Sequence, residues 1–263
     1  MKSLINPRLL VLLFLLLTQS FAWGQQEKRE LNNRILYTKY TIADFFHDSS
    51  KWVWEFDVVY RRQSQLAQGD FFREPLRMSI RPWIAYQFSK YTRVSFQPLG
   101  GFYSAPRFPI ESDLNRRFER ELRTTLQINH YAYFKRVNFT HRLRFESRWR
   151  GIDEDGGPTQ NWRVRYRIRT RIPLNHDYFY TNRTWYISQY SEAHFEFGRN
   201  YGTNYLSQNR NYVGIGYRFW DWARVEAGYL HQYNVRGNNY DLDLSQGPMF
   251  YLFIDLLSKL RTN

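Results

Sequence analysis

Cysteine is absent from the 263-residue sequence. That excludes disulfides, thiol nucleophiles, Cys-ligated zinc and a lipidated cysteine behind an export signal. Long apolar runs are missing too. Beyond residue 24 no stretch is apolar enough and long enough to cross a bilayer as a helix of ~20 residues. Hydrophobic residues make up only 43% of the chain, so a bundle of membrane helices is excluded. Also lacking are a P-loop, a dinucleotide fingerprint and an HExxH zinc motif.

Aromatic residues are plentiful instead: 21 Tyr, 21 Phe and 9 Trp, or 19% of the chain. Such side chains favour strands, and Trp and Tyr favour membrane–water interfaces. The formal net charge is +14. A basic chain can be a nucleic-acid binder, or it can place its cations inside a barrel or against anionic headgroups. The positions of the arginines decide between these.

The first two dozen residues have the form of a secretory signal. Lys2 and Arg8 precede an unbroken apolar run from Leu9 to Leu17. Ala22-Trp23-Gly24 follows as a small-x-small cleavage pattern, which places the mature N-terminus near Gln25. An exported chain without spanning helices can enter a membrane only as a closed barrel, because only then is every backbone polar group satisfied.

From about residue 34 the dominant period is two. In WRVRYRIRTRIPL, Trp162, Val164, Tyr166, Ile168, Thr170 and Ile172 share one face, and Arg163, Arg165, Arg167, Arg169 and Arg171 share the other. As a helix this segment would scatter arginine around every side. Leu143, Phe145, Ser147 and Trp149 likewise alternate with Arg142, Arg144, Glu146, Arg148 and Arg150. Trp52 to Tyr60 alternate with Val53, Glu55, Asp57, Val59 and Arg61. Leu76 to Phe88 alternate with Arg77, Ser79, Arg81, Trp83, Ala85 and Gln87. Leu122, Thr124, Leu126, Ile128 and Ala132 oppose Glu121, Arg123, Thr125, Gln127 and Asn129. The segments run about ten to fifteen residues, longer than globular strands and suited to tilted spanning strands of ~9–11.

Connections alternate in length. Short ones fall at His47–Lys51, Ser89–Tyr91, Lys135–Arg136, Asn175–Asp177 and Trp220–Trp222. Longer polar ones fall at Ser64–Arg73, Ser104–Arg117, Gly151–Asn161, Arg199–Asn209 and Arg236–Gln246. Short turns on one rim and long loops on the other match outer-membrane barrels. Tyr178, Phe179, Tyr180, Trp220 and Trp222 suit an interfacial girdle. The segments number eleven, ending at Met249–Leu256, whereas single-chain bacterial barrels have even numbers. About 12 strands are therefore expected, with 10 as the alternative. The missing strand would lie near Gln26–Ile35, or Tyr178–Gly198 would be two short strands, or the N-terminal segment would pass into the lumen.

The arginine face must point inward. Each Arg or Lys at the bilayer midplane costs about 2–4 kcal/mol, so five on one strand could exceed the ~5–15 kcal/mol of a whole domain. Inside, the cations need counter-charges. Glu55, Asp57, Glu119, Glu121, Glu146, Glu192, Glu196 and Glu226 lie on the same faces as the arginines. The expected lumen network comprises Arg142, Arg144, Glu146, Arg148, Arg163, Arg165, Arg167, Arg169, Arg171, Glu55, Asp57, Glu121, Glu192 and Glu196. A soluble β-sandwich fails, because it would expose continuous arginine strips on flat sheets. A nucleic-acid role fails on export and on the strict alternation of the arginines.

From Glu119 to Tyr233 the sequence resembles the domain of unknown function 2490 family, predicted bacterial outer-membrane barrels. The residues that carry the likeness are ELRTTLQINHYAYFKRVNFTHRLRFESRW, RVRYRIRTRIPL, YISQYSEAHFEF with Glu192, Gln208-Asn209-Arg210 leading into YVGIGYRF, and RVEAGYLHQY. The resemblance implies the barrel fold and an outer-membrane location, and brings no established activity. One departure is that MFYLFIDL is followed by LSKLRTN instead of ending the chain on an aromatic strand.

Catalytic constellations are weak. Asn129-His130 and Thr140-His141 lie on adjacent strands, but no nucleophile motif accompanies them. Glu192 and Glu196 could serve as an acid/base pair, although pairing with arginine explains them better. Asp153-Glu154-Asp155-Gly156-Gly157 could offer oxygen ligands to a cation, but Val164 stands where a calcium hand has its twelfth-position Glu. The expectation is therefore an all-β, antiparallel transmembrane β-barrel with a charged, largely plugged lumen, residues 1–24 being a signal peptide and 25–263 the barrel. It is expected to be a monomer in the outer membrane, structural or a narrow conduit, with no catalytic residues, cofactor, metal or nucleic-acid partner. Its partners are outer-membrane lipids, lipopolysaccharide and the barrel-assembly machinery. The alternatives are an anion-preferring pore and a lipid-modifying, phospholipase-like enzyme.

Overall fold

The computed structural model describes residues 29–255, apart from 48–49, 67–69, 71, 116, 153–155, 199–205 and 237–240. The expected export signal and Asp153-Glu154-Asp155 lie outside the described residues. Eleven strands are seen among those described: β1 Arg29–Phe45, β2 Trp52–Gln63, β3 Glu74–Ser89, β4 Thr92–Ser104, β5 Glu119–Phe134, β6 Val137–Arg150, β7 Thr159–Pro173, β8 Thr184–Phe197, β9 Leu206–Trp220, β10 Ala223–Val235 and β11 Asp241–Asp255. A 3-10 turn, Glu111–Asp113, interrupts the β4–β5 loop. No described helix is long and apolar enough to cross a membrane, which says nothing of strands.

Each strand pairs antiparallel with its sequence neighbour, and β1 closes the barrel by pairing parallel with β11. The parallel seam follows from the odd count, since the first and last strands of an up-and-down barrel then run the same way. This corrects the expectation of 12 or 10 strands. The chain from Arg29 to Ile35 belongs to β1, and Tyr178–Gly198 holds one strand, beginning at Thr184. At the seam Gly247 has φ +155 and lies so close to the β1 backbone that a Cβ would sit 1.9 Å from the Ile35 carbonyl oxygen. Any side chain there would push the two strands apart.

The turns at Lys90–Tyr91, Lys135–Arg136 and Asp221–Trp222 occupy one rim with the β1–β2 connection, and the longer loops occupy the other. A second correction concerns Asn175–Asp177. Its connection runs from Leu174 to Arg183, so it is a loop on the short-turn rim. Trp185 N–H donates to the Asn175 side chain at 2.8 Å and Asn175 Nδ2 donates to the Arg183 carbonyl at 2.8 Å, which closes the loop upon itself. Two long-loop boundaries also shift, with β9 starting at Leu206 and β11 at Asp241.

The alternation sorts the side chains into two skins. Ile80, Ile84, Phe96, Leu126, Phe145, Tyr166, Ile187, Val213, Tyr229 and Phe250 are exposed on the outside. Charge on the outer face is confined to the long-loop ends of strands, at Glu30, Arg34, Arg62 and Arg120. Leu76 breaks the expected pattern and is buried. The register slips between Arg61 and Arg62, where β3 pairs with the end of β2. A slip of one residue turns side chains to the opposite face, and Leu76 joins the interior cluster.

Candidate functional site: the interior of the barrel

The interior has two unlike walls. Strands β5 to β8 supply a chain of ion pairs. Glu121 accepts from Arg123 and from Arg148 Nε at 2.5 Å, and Arg148 reaches on to Glu196 at 2.8 Å. Glu196 also accepts from Arg163 at 3.3 Å, and Arg163 Nε donates to Glu146 at 2.6 Å. Arg165 bridges Glu146 and Glu192 at 2.9 Å each, and Glu192 is further paired with Arg142. Arg169 and Arg171 share Glu226, which the Tyr186 hydroxyl approaches at 3.1 Å. Nearer the short-turn rim, Asp57 pairs with Lys39 at 2.8 Å and Arg81 at 3.0 Å, and Glu55 pairs with Arg93 at 3.2 Å.

The zigzag comes from register. In the β7–β8 pair, Arg163 stands opposite Glu196 and Arg167 opposite Glu192. In the β6–β7 pair, Glu146 stands opposite Arg163, but Arg144 faces Arg165 and Arg142 faces Arg167. Two arginine-on-arginine pairings side by side leave that wall short of acid. Among the described residues Arg144 donates to Gln127, at 2.5 Å, and stacks its guanidinium over Trp83 at 5.0 Å. Arg167 has no carboxylate partner among the described residues and lies 5.2 Å from the Tyr190 ring.

Strands β8 to β11 and β1, with the long-loop parts of β2 and β3, form the second wall. Ile35, Tyr37, Val59, Leu76, Tyr190, Tyr212, Leu230, Met249, Tyr251 and Phe253 make one buried cluster. Tyr190 and Tyr212 stack at 5.1 Å, and the Arg169 guanidinium lies 5.4, 6.0 and 5.3 Å from the rings of Tyr190, Tyr212 and Tyr251. Sequence reasoning missed this wall, together with Lys39, Arg210 and Arg218. The available signal was the sharing of one face by Ile35, Tyr37, Lys39 and Thr41. It is weak, because the opposite face of β1 carries Leu36, Tyr40 and Ile42, so the two sides hardly differ in polarity.

The ends of the interior are treated differently. At the long-loop end the β4–β5 loop folds inward. Gln63 donates to the Pro106 carbonyl at 2.7 Å, Arg107 to Asn234 at 3.0 Å, and Asp113 accepts from Arg236 at 3.0 and 2.7 Å. Arg236 also reaches Asp243 at 2.7 Å. Burial pulls the Arg236 pKa down, but its hydrogen bonds to Asp113 and Asp243 win and raise it above the usual guanidinium value. At the short-turn end the buried ring of Phe179 stands between the guanidiniums of Arg171 and Arg218, each at 5.0 Å. Phe179 was expected in the interfacial girdle with Tyr178 and Tyr180; those two are exposed and Phe179 is not.

Between the ends lies a cavity of ≈ 470 Å³ that reaches the short-turn rim at Phe45, Lys90, Tyr133 and Tyr180. Its lining includes seventeen Lys and Arg against five Asp and Glu. No described residue of the long-loop connections lines it. The cavity therefore opens toward the short-turn rim, has no lining from the described long loops, and is strongly cationic.

The remaining candidates do not assemble a site. His130 and His141 face each other on the outer side of β5 and β6. Their ring nitrogens meet Thr92 Oγ1 at 3.2 Å and Tyr166 Oη at 2.7 Å, and no serine joins them. Glu196 is committed to Arg148 and Arg163, and Glu192 to Arg142 and Arg165. No group of three His, Asp or Glu that could hold a metal occurs among the described residues.

A family model described as a protein of unknown function (DUF2490) matches residues 35–242. The chain belongs to this family. The match runs from within β1 to the second residue of β11, so it takes in nearly the whole barrel. No curated protein and no solved structure matches the chain. The family description carries no activity, which leaves the interior as the source of any functional reading.

Proposed function

We propose that this member of the DUF2490 family is a monomeric outer-membrane β-barrel that does not conduct, structural at its outer skin and closed at its long-loop end. An N-terminal signal exports it and the barrel-assembly machinery inserts it among outer-membrane lipids and lipopolysaccharide. One observation carries the reading: charged side chains stay off the outer face except at the long-loop ends, while Arg163, Arg165, Arg169 and Arg171 are buried within. A soluble barrel has no reason to present Ile80, Ile84, Phe145 and Val213 to water; a bilayer rewards it.

Single-cysteine variants labelled with a bilayer-restricted reagent test the membrane assignment. Positions 164, 166 and 168 are expected to react while 163, 165 and 167 are spared, and the reverse pattern would overturn it. The cationic excess of the cavity favours a second reading, an anion-preferring pore. Planar-bilayer recording separates the two. The closed reading expects no steps from the native protein, and channels appearing in Asp113→Asn or Arg236→Gln, which loosen the loop across the long-loop end. Anion-selective steps from the native protein would establish the pore instead.

A further inference from the structure

We propose that the cavity behind the short-turn rim is a binding site for a soluble phosphate monoester, with Arg142, Arg144 and Arg167 as its anchor. The proposal rests on the reading of a barrel closed at its long-loop end, and deepens it by naming what the cavity holds.

The anchor is a contiguous patch. Arg142 and Arg167 are cross-strand partners, and Arg144 follows Arg142 on the same face of β6, about 6–7 Å along the strand. Arg144 also lies in the field of Arg165 and Arg81, the latter from β3 across the interior. Lys39 and Arg81 share the single carboxylate of Asp57. Glu192, the acid paired with Arg142, is divided among Arg142, Arg165 and the more distant Arg210 at 3.7 Å, and Glu146, whose charge reaches Arg144, is held by Arg163 and Arg165. Arg144 and Arg167 have no acid of their own among the described residues. The Nε groups of Arg81, Arg142 and Arg167 are buried without an acceptor.

Buried guanidiniums without counter-ions are costly, and several of them around one cavity specify what would relieve them. The occupant must carry more than one negative charge and several acceptor oxygens in a compact volume. A phosphate monoester does, and arginine forks match it in geometry. At ≈ 470 Å³ the cavity has the size of a small-molecule site. Tyr37, Tyr251 and Phe253 also line the cavity, so part of its wall is aromatic and suits the organic body of such a molecule. Acyl chains have no place among seventeen lining cations, so a lipid headgroup is the poorer fit.

The experiment uses the full mature chain refolded in a zwitterionic, phosphate-free detergent, with inorganic phosphate and glycerol 3-phosphate as probes. Because it runs in detergent, it is independent of which membrane holds the barrel and of the conductance result. Equilibrium dialysis at constant ionic strength is expected to show saturable binding of one phosphate per chain. The thermal midpoint should rise with either probe and not with matched chloride. Arg144→Gln with Arg167→Gln is expected to weaken binding at least about tenfold, the equivalent of one charge-assisted hydrogen bond. Arg150→Gln, a control whose Glu119 partner lies at the long-loop rim, should leave binding unchanged.

Should the double variant not refold, Arg167→Gln alone gives the same readout. No saturable binding, an equal response to chloride, or undiminished binding after the arginines are removed would each overturn the proposal. So would stabilisation by vesicles carrying phosphatidic acid with none from the two soluble probes.

Discussion

Glu192 is the most heavily committed acid of the interior, within salt-bridge reach of Arg142, Arg165 and Arg210 and close to His194 at 3.3 Å. Replacing it by Gln removes one charge and leaves three guanidiniums buried with less compensation. Breaking a buried pair of this kind costs about 3–5 kcal/mol, so Glu192→Gln should unfold at clearly lower urea than the native barrel. Arg144→Gln is expected to behave in the opposite sense. Its guanidinium has no acid, so ligand-free stability should hold or rise while the packing over Trp83 is only partly lost. Equilibrium urea unfolding of both, followed by tryptophan fluorescence, checks the pair. A loss for Arg144→Gln as large as that for Glu192→Gln would mean that the two arginine-on-arginine pairings are compensated after all. Single residues of this class were legible in the sequence because period two and opposite charge coincide in β6 and β7. Which glutamate serves which arginine was not, since a partner depends on register across strands and local alternation does not encode it.

Among the elements, β7 announces itself and β1 does not. Every inward position from Arg163 to Arg171 is arginine, whereas the inward face of β1 reads Leu31, Asn33, Ile35, Tyr37, Lys39, Thr41 and Ala43. With apolar and polar residues on both sides, β1 can be counted as a strand without its parallel pairing to β11 being foreseen. That seam depends on Gly247, so Gly247→Val is expected to lower the yield of folded barrel sharply. Strain at φ +155 adds to the clash with the Ile35 carbonyl. Heat-modifiable migration on electrophoresis reads this directly, and a variant that folds as well as the native chain would show that the seam can open. The Leu174–Arg183 loop escaped notice for another reason. Tyr178, Phe179 and Tyr180 look alike in sequence, and only the fold turns the middle ring inward between Arg171 and Arg218. Truncating a buried Phe costs about 3–5 kcal/mol. Phe179→Ala should therefore lose stability of that order in urea, while Tyr178→Ala, exposed, should lose little.

For the whole molecule, the odd strand count has a consequence that an even barrel lacks. Arg29 opens β1 at the long-loop rim and Asp255 ends β11 at the short-turn rim, so the two ends of the described chain lie on opposite sides. Short turns face the periplasm in outer-membrane barrels. On that orientation an epitope placed just ahead of Arg29 should be recognised on intact cells, as should one inserted in the 105–118 loop. An epitope in the Lys135–Arg136 turn should be recognised only after the outer membrane is permeabilised. The same orientation decides which compartment supplies the cavity, because it opens beside Phe45, Lys90 and Tyr180 on the short-turn rim. A periplasmic mouth means that any anion held by Arg142, Arg144 and Arg167 is drawn from the periplasm, with the Asp113–Arg236 closure standing between it and the outside. Recognition of the Lys135–Arg136 epitope on intact cells, with the other two silent, would invert the barrel and make the cavity a receptor for solutes in the medium.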